Sequence, residues 1–325
     1  MTTDGTLLYL SRRDVEAVAL PMRQVLDALE AMFVEKGHGR VEMPPKPGIH
    51  PRPDAFIHAM PAWIPALDAA GVKWIAGYPA NMARGLPYIH GLLLLNDPDT
   101  GVPLAVMDAT WITAMRTGAA TAVAARRLAR PESRSVGIVA CGVQGRSNLE
   151  ALRCAFPGLE RAVAYDLRPE VARRFALDMS RALDVEVVVA ERVEDAVRGL
   201  DMVVTSGPIL KRPAPLIQAD WLAPGTFVSP VDFDSYVAPG AFRAGRVFTD
   251  DLTQFRYYRA EGYFQETPDP EADLGQLVIG AAPGRSSPEE LTFAINLGLA
   301  LEDLATVARI HAEALRRGIG TRLDV

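Results

Sequence analysis

Apolar positions along this chain recur with two periods, one helical and one strand-like. Over residues 14–37 (DVEAVALPMRQVLDALEAMFVEKG) they fall at helical spacing and stop at Gly37, which predicts one amphipathic helix. The proline-rich residues 43–51 read as extended backbone. Short apolar runs at residues 55–60, 71–77, 91–95 and 103–107 predict strands, and Asn96-Asp97-Pro98-Asp99-Thr100-Gly101 makes the last two a hairpin. Residues 111–130 are alanine-rich and free of proline, which predicts a long helix. Strand and helix patterns then alternate: strands at 136–139, 162–165, 185–189 and 201–205, with helices near 169–183 and 193–198 and a further strand end at 227–229. Residues 287–318 read as one continuous helix, with Ser287 as N-cap, Pro288 at N1 and Glu290 completing a capping box. No internal repeat or low-complexity tract interrupts the pattern.

This alternation predicts an α/β fold, a Rossmann-type doubly wound parallel sheet plus a mixed α/β domain. The mixed domain is split in sequence, residues 1–115 with 305–325, and the parallel-sheet domain is expected over 116–304. Composition narrows the class. The 325 residues are 49% hydrophobic and 23% charged, ordinary for a globular protein. A net charge of −6 argues against a nucleic-acid partner, and no apolar run reaches the roughly 18 residues of a membrane span. The opening MTTDGTLLYLSRRD lacks a basic region followed by an apolar core, so a cytoplasmic location is expected. Two cysteines, Cys141 and Cys154, and five scattered histidines indicate no disulfide and no metal site.

The most informative segment is residues 135–166, SVGIVACGVQGRSNLEALRCAFPGLERAVAYD. An apolar run stops at Ala140-Cys141-Gly142-Val143-Gln144-Gly145, a helix pattern follows, and a second apolar run ends on Asp166. Strand, tight turn, helix, strand and acid is the order of a dinucleotide-binding unit. Glycines let the backbone approach a pyrophosphate, the helix N-terminus stabilises its charge, and the acid accepts from a ribose 2′-OH. Ala140 stands where the pattern has its first glycine. Asp166 argues for NAD(H) rather than NADP(H), whereas Arg168, two residues on, would favour a 2′-phosphate.

Three residues outside this unit suggest chemistry. Alternation puts Lys73 on the strand face opposite Val72 and Trp74, and an exposed lysine is the simpler reading. Arg116, on a helix of small residues, either forks a carboxylate or faces solvent. Asp234 follows a strand end, where open α/β sheets place their ligands, but it also suits a turn or cap.

The same residues carry a resemblance over nearly the whole chain. Met60-Pro61-Ala62, Val72-Lys73-Trp74 with Asn81, the hairpin from Leu95-Asn96-Asp97 to Gly101, and Arg116-Thr117-Gly118-Ala119 occur in order. Gly142-Val143-Gln144-Gly145, Gly225-Thr226 with Asp234, and Gly298-Leu299-Ala300-Leu301-Glu302-Asp303 follow. Together they resemble the ornithine cyclodeaminase/mu-crystallin family. The resemblance implies an NAD(H) domain and a mixed domain for substrate binding and homodimer formation. It implies that Lys73 and Arg116 hold a substrate α-carboxylate, while Asp234 handles the proton on the substrate nitrogen as hydride moves between Cα and the nicotinamide. The cofactor would draw on Thr117, Gly142, Val143, Gln144, Gly145, Asp166, Arg168, Thr205, Ser206, Asp234 and Gly298.

Two departures redirect the expected substrate. Lys46 stands where family members commonly carry an arginine for the carboxylate, and His58 stands where ornithine-cyclising members place a glutamate for the distal amine. A histidine is no anionic partner for an ammonium. The expectation is therefore an imine reductase or amino-acid dehydrogenase acting on a small 2-amino or 2-imino acid. The alternatives are an ornithine cyclodeaminase and a non-catalytic, nucleotide-bound protein like the mu-crystallins. Lys46, His50, Arg52 and His58 lie in one proline-stiffened stretch. If two of them face the substrate, a neutral or anionic side chain is preferred over a cationic one, as in the imines of pyruvate, glyoxylate or oxaloacetate. Alternatively, His50 and Arg52 point to solvent.

Overall fold

The computed structural model describes residues 5–324, except for the side chain of residue 82. Residues 1–4, the first of the opening stretch MTTDGTLLYLSRRD, lie outside the described residues. The chain divides into two compact units, Met1–Arg116 with Leu299–Val325, and Thr117–Gly298. The return to the first unit falls at Leu299, before the residue 305 expected from the sequence, and so brings Glu302 and Asp303 into that unit.

The first unit opens with β1 (Thr6–Leu10), α1 (Arg12–Val18) and α2 (Met22–Gly37). The sequence predicts one helix here, but the structure has two. Ala19 takes a left-handed φ of 50°, and Pro21, which has no N–H to continue the first helix, caps the second. Ser11 caps α1 through a capping box with Asp14. The strands β2 (Gly48–Ile49), β3 (Phe56–Ile64), β4 (Ala69–Gly77), β5 (Ile89–Asn96) and β6 (Pro103–Asp108) follow. The turn between β5 and β6 is held by Asp97, whose carboxylate accepts from the Thr100 N–H at 2.9 Å. The helix α3 (Thr110–Leu128) starts in this unit and continues in the next.

The second unit contains β7 (Ser135–Val139), α4 (Val143–Ala155), β8 (Arg161–Tyr165), α5 (Pro169–Leu183), β9 (Glu186–Val189), β10 (Met202–Thr205) and β11 (Phe227–Pro230). It continues through α6 (Pro239–Arg243), β12 (Arg246–Thr249), α7 (Leu252–Ala260), α8 (Leu274–Val278) and β13 (Thr292–Ile295). These strands form one seven-stranded parallel sheet in the order β12-β13-β11-β10-β7-β8-β9. Chain order reverses between β7 and β10, the switch point at which such sheets open a ligand crevice. Val203, Val228, Phe242 and Phe293 lie in the core on one side of the sheet. Close packing also sets the helices: a Cβ on Gly118 of α3 would lie 2.3 Å from the Ser147 carbonyl oxygen of α4.

Of two helices expected from here on, the one at 193–198 is not formed and the one over 287–318 begins only at Ala300. Residues 193–198 contribute only a 3₁₀ turn, Val193–Ala196. Ser287 caps no helix, and its hydroxyl turns to Glu289 instead. Thr292–Ile295 is a strand because all four residues are buried between two parallel neighbours, which outweighs the local helical pattern.

Gly298, at φ 79°, precedes the return to the first unit. There α9 (Ala300–Arg317) and β14 (Thr321–Asp324) complete a mixed sheet of order β14-β1-β6-β5-β4-β3-β2. The helix α9 covers β3 and β4 and packs on α2. Lys73, Ile75, Leu93 and Leu95 are buried. The opposite strand positions, among them Trp63, Trp74 and Leu92, are exposed.

Candidate active site

In the second unit the turn after β7 has three glycine-type positions with different demands. Ala140 holds a left-handed φ of 75°, a conformation that favours glycine. Its N–H donates to the Tyr165 carbonyl and its carbonyl accepts from the Ser206 hydroxyl, at 2.8 Å each, so the strained residue is pinned on both sides. Gly142, the N-cap of α4, has open space where a Cβ would stand. Gly145 has none: its Cβ would lie 2.6 Å from the Ala140 oxygen and 3.1 Å from Ile138 Cγ2. No side chain caps the first turn of α4, which leaves its N–H groups available to an anion. Val143 is exposed there and Gln144 half-buried.

Asp166 directly follows β8, where the sequence places it. One of its oxygens accepts from the Cys141 N–H at 2.9 Å and the other from the Arg168 N–H at 3.0 Å, tying it to the turn and to the start of α5. Each carboxylate oxygen keeps a lone pair for a ribose hydroxyl. The Arg168 side chain is mostly exposed, its Nε 3.9 Å from Asp166. Open space at Gly142, an uncapped helix start and a fixed acid together fit a dinucleotide. Cys141 is buried, and burial pushes its thiol up to about 12, so it is no nucleophile.

Thr205 ends β10 and Ser206 follows it. The Thr205 hydroxyl donates to Asp232 at 2.6 Å, and the Gly207 N–H donates to the same carboxylate at 2.8 Å. Asp232 is fully buried, which raises it to about 7 against these hydrogen bonds. Asp234, two residues on, is 6% exposed. Its Oδ2 accepts from the Thr267 hydroxyl at 3.4 Å, while Oδ1 is buried without a hydrogen-bond partner. Burial raises its pKa above the usual carboxylate range. Between the two acids Phe233 adopts φ 64°, held by ring contacts with Tyr258 and Phe264 at 5.1 Å and Tyr263 at 5.4 Å. Thr117 is buried on α3, and the Gly298 N–H donates to Asp250 at 2.7 Å.

The first unit assembles the other candidates. Lys73 is 1% exposed, which corrects the expectation of a solvent-facing lysine. Alternation does separate it from Val72 and Trp74, but those two occupy the open sheet face and Lys73 the face beneath α9. Its Nζ lies 2.5 Å from Asp303 Oδ2 and 3.5 Å from the Thr113 hydroxyl. Arg116 is buried too: its Nε donates to Asp303 Oδ1 at 3.1 Å and its Nη1 to Glu302 Oε2 at 2.9 Å. Of the two sequence readings of Arg116, solvent exposure is therefore excluded. Burial first, and then the Arg116 charge, lower Lys73 to about 8, with Asp303 opposing. Burial raises Glu302, against the pull of Arg116. Glu302 and Asp303 stand in the segment Gly298 to Asp303 that carries the family resemblance, but no local signal marks them as partners of Lys73 and Arg116.

Lys46 is buried, whereas His50 and Arg52 are exposed. His58 stacks on Phe56 with ring centres 4.4 Å apart, over Gly48, whose Cβ would lie 2.1 Å from the imidazole. Burial, followed by the charges of Lys46, His50 and Lys73, drives His58 down to about 3. It is thus a neutral group and adds no positive charge to the stretch that carries Lys46, His50 and Arg52. Among the described residues no cluster of His, Cys, Asp and Glu is arranged for a metal ion, and no helix is long and apolar enough to cross a membrane.

Comparison with known proteins finds relatives over nearly the whole chain. Nodulation efficiency protein NfeD of Rhizobium meliloti is 37% identical over 96% of this chain and 97% of its own. The Δ1-pyrroline-2-carboxylate reductase of Thermococcus litoralis, solved with NADH and L-proline, superposes with a TM-score of 0.88 at 32% identity, covering 97% of this chain and 99% of its own. An archaeal alanine dehydrogenase dimer with bound NAD gives 0.87 at 31% identity, covering 98% and 99%. The model of the ornithine cyclodeaminase/mu-crystallin family matches residues 7–318, and the chain belongs to that family.

Proposed function

We propose that this protein is an NAD(H)-dependent oxidoreductase acting at Cα of a small 2-amino or 2-imino acid. The observation that carries this reading is Asp234. It is a buried carboxylate with a raised pKa and a bare oxygen, placed just beyond the end of β11 in the same sheet as the dinucleotide turn. A buried acid biased in this way toward its protonated form can both give and take a proton. Bound by the Gly142–Gly145 turn and Asp166, NAD(H) supplies the hydride exchanged with Cα. Lys73 and Arg116 hold the substrate carboxylate, and Asp234 gives a proton to, or takes one from, the substrate nitrogen. The solved relatives with NADH and L-proline, or with NAD, support this chemistry.

The side chain accepted is small and neutral. The neutral His58 supplies neither an anion for a distal ammonium nor a cation for a second carboxylate. The exposed Trp63, Trp74 and Leu92 on the open sheet face favour a homodimer, the state of the archaeal alanine dehydrogenase. Sedimentation is expected to give a dimer for the wild type and a monomer for Trp74→Glu, and a monomeric wild type refutes this assembly. For the reaction, initial rates of NADH oxidation are compared for pyruvate or glyoxylate with ammonium or methylamine, for oxaloacetate with ammonium, and for a cyclic 2-imino acid. Turnover of the neutral imino acids ahead of the imine of oxaloacetate, with no conversion of ornithine to proline, is the expected result. Efficient ornithine cyclisation without imine reduction overturns the reading.

A further inference from the structure

Lys73 and Arg116 are held by two acids in the first turn of α9. Asp303 bridges them, with one oxygen 2.5 Å from Lys73 Nζ and the other 3.1 Å from Arg116 Nε. Glu302 meets Arg116 at 2.9 Å and is itself fixed by the Leu299 N–H at 3.2 Å. All four residues are buried. A buried ion network of this kind contributes little net stability compared with apolar packing, because each charge is taken out of water. Its contacts to Lys73 and Arg116, the two groups proposed to hold the carboxylate, point to a role in binding.

We propose that Asp303, supported by Glu302, is a positioning residue that fixes the spacing of Lys73 and Arg116 and keeps Lys73 charged for the substrate carboxylate. This rests on the reading of the site given above. Two like charges confront each other in a buried place, and only lysine can release its proton there. Burial and Arg116 both push Lys73 toward the neutral form, while Asp303 and then Glu302 oppose them. From the other elements Thr113 of α3 offers only a hydroxyl, and His58 of β3, neutral itself, senses the charges of Lys46, His50 and Lys73. Without Asp303, Lys73 loses its counter-charge and half the clamp's charge disappears at neutral pH.

The test is the pH profile of kcat/KM for reduction of a preformed cyclic 2-imino acid by NADH, which reports groups of the free enzyme. The wild type has an alkaline limb set by Lys73. In Asp303→Asn that limb moves down by about 1–3 pH units, the range an adjacent opposite charge commands, while NADH affinity measured by fluorescence is unchanged. Lys73→Arg abolishes the limb, and adding Asp303→Asn to it restores no shift. Asp303→Glu keeps the charge, so its limb stays in place while KM rises. An Asp303→Asn profile superimposed on the wild type, or the same shift in the Lys73→Arg background, overturns the proposal. Should Asp303→Asn fail to fold, Asp303→Glu decides: a raised KM with an unmoved limb supports the proposal, and a wild-type KM overturns it. A wild type inactive on every 2-imino acid removes both readings, whereas an active wild type with an unshifted Asp303→Asn removes this one alone.

Discussion

The turn after β7 contains three small residues at which gaining or losing a single methyl group has three different effects. Ala140 sits at φ 75°, where an L-residue carries a cost of roughly 1–2 kcal/mol. Replacing it with glycine relieves that cost but enlarges the unfolded ensemble, a loss of about 0.4–1 kcal/mol. The net expectation for Ala140→Gly is a gain of up to about 1.5 kcal/mol, a rise of at most roughly 3–6 °C in the melting of this unit. Gly145 is the reverse case. A Cβ there lies 2.6 Å from the Ala140 oxygen, a backbone atom that cannot rotate away, so Gly145→Ala is expected to cost about 1–3 kcal/mol. Gly142 has open space and an ordinary φ of −75°. Gly142→Ala should therefore leave thermal stability almost unchanged while its methyl group occupies the path of the pyrophosphate. NADH affinity is expected to fall about tenfold or more, which corresponds to at least 1.4 kcal/mol. Differential scanning calorimetry and NADH fluorescence titration separate the two effects. Destabilisation by Ala140→Gly, or Gly142→Ala with wild-type NADH affinity, refutes the assignment of these roles.

Other outcomes follow from the remaining groups. Asp234→Asn should lower kcat by about 10²–10⁴-fold with NADH binding intact, and near-wild-type turnover means another acid moves the proton. Asp166→Ser should narrow the preference for NADH over NADPH in kcat/KM, and a wild type that prefers NADPH contradicts the role given to Asp166. His58 stays neutral in the fold down to about pH 3, whereas in the unfolded chain it protonates near 6.5. The unfolded state thus binds the extra proton, and stability falls as pH drops from 6.5 to about 3, by at most roughly 4–5 kcal/mol. Urea titrations across that window should show a shallower loss for His58→Gln, and parallel curves for the two proteins count against the burial argument.

Much of the parallel-sheet unit is legible in the sequence, because alternating apolar runs and a turn ending in an acid are local signals. Asp166 stands where the pattern puts it, and the hairpin turn at Asp97 forms through its own side chain. The failures have specific physical origins. Strand alternation sorts residues into two faces but does not say which face is covered, so Lys73 reads as exposed although α9 buries it. The signal at Ser287-Pro288 is a sound local helix start, overridden by the parallel pairing of Thr292–Ile295. Pro21 divides a stretch whose apolar spacing runs on past it. The contact of Arg116 with Asp303 spans 187 residues of sequence, and no local pattern announces it. The acidic pair is visible in the chain, but its partners are not.

The central chemical event of the proposed reaction is transfer of a hydride from the nicotinamide to Cα. Reduction of a cyclic 2-imino acid, or of pyruvate with ammonium, using NADH deuterated at C4 on the transferred face addresses it directly, with mass spectrometry and NMR of the product amino acid. The account predicts one deuterium at Cα, with the same label pattern at lower rate in Asp234→Asn. An amino acid carrying only solvent hydrogen at Cα, or no amino acid formed while NADH binds, contradicts it.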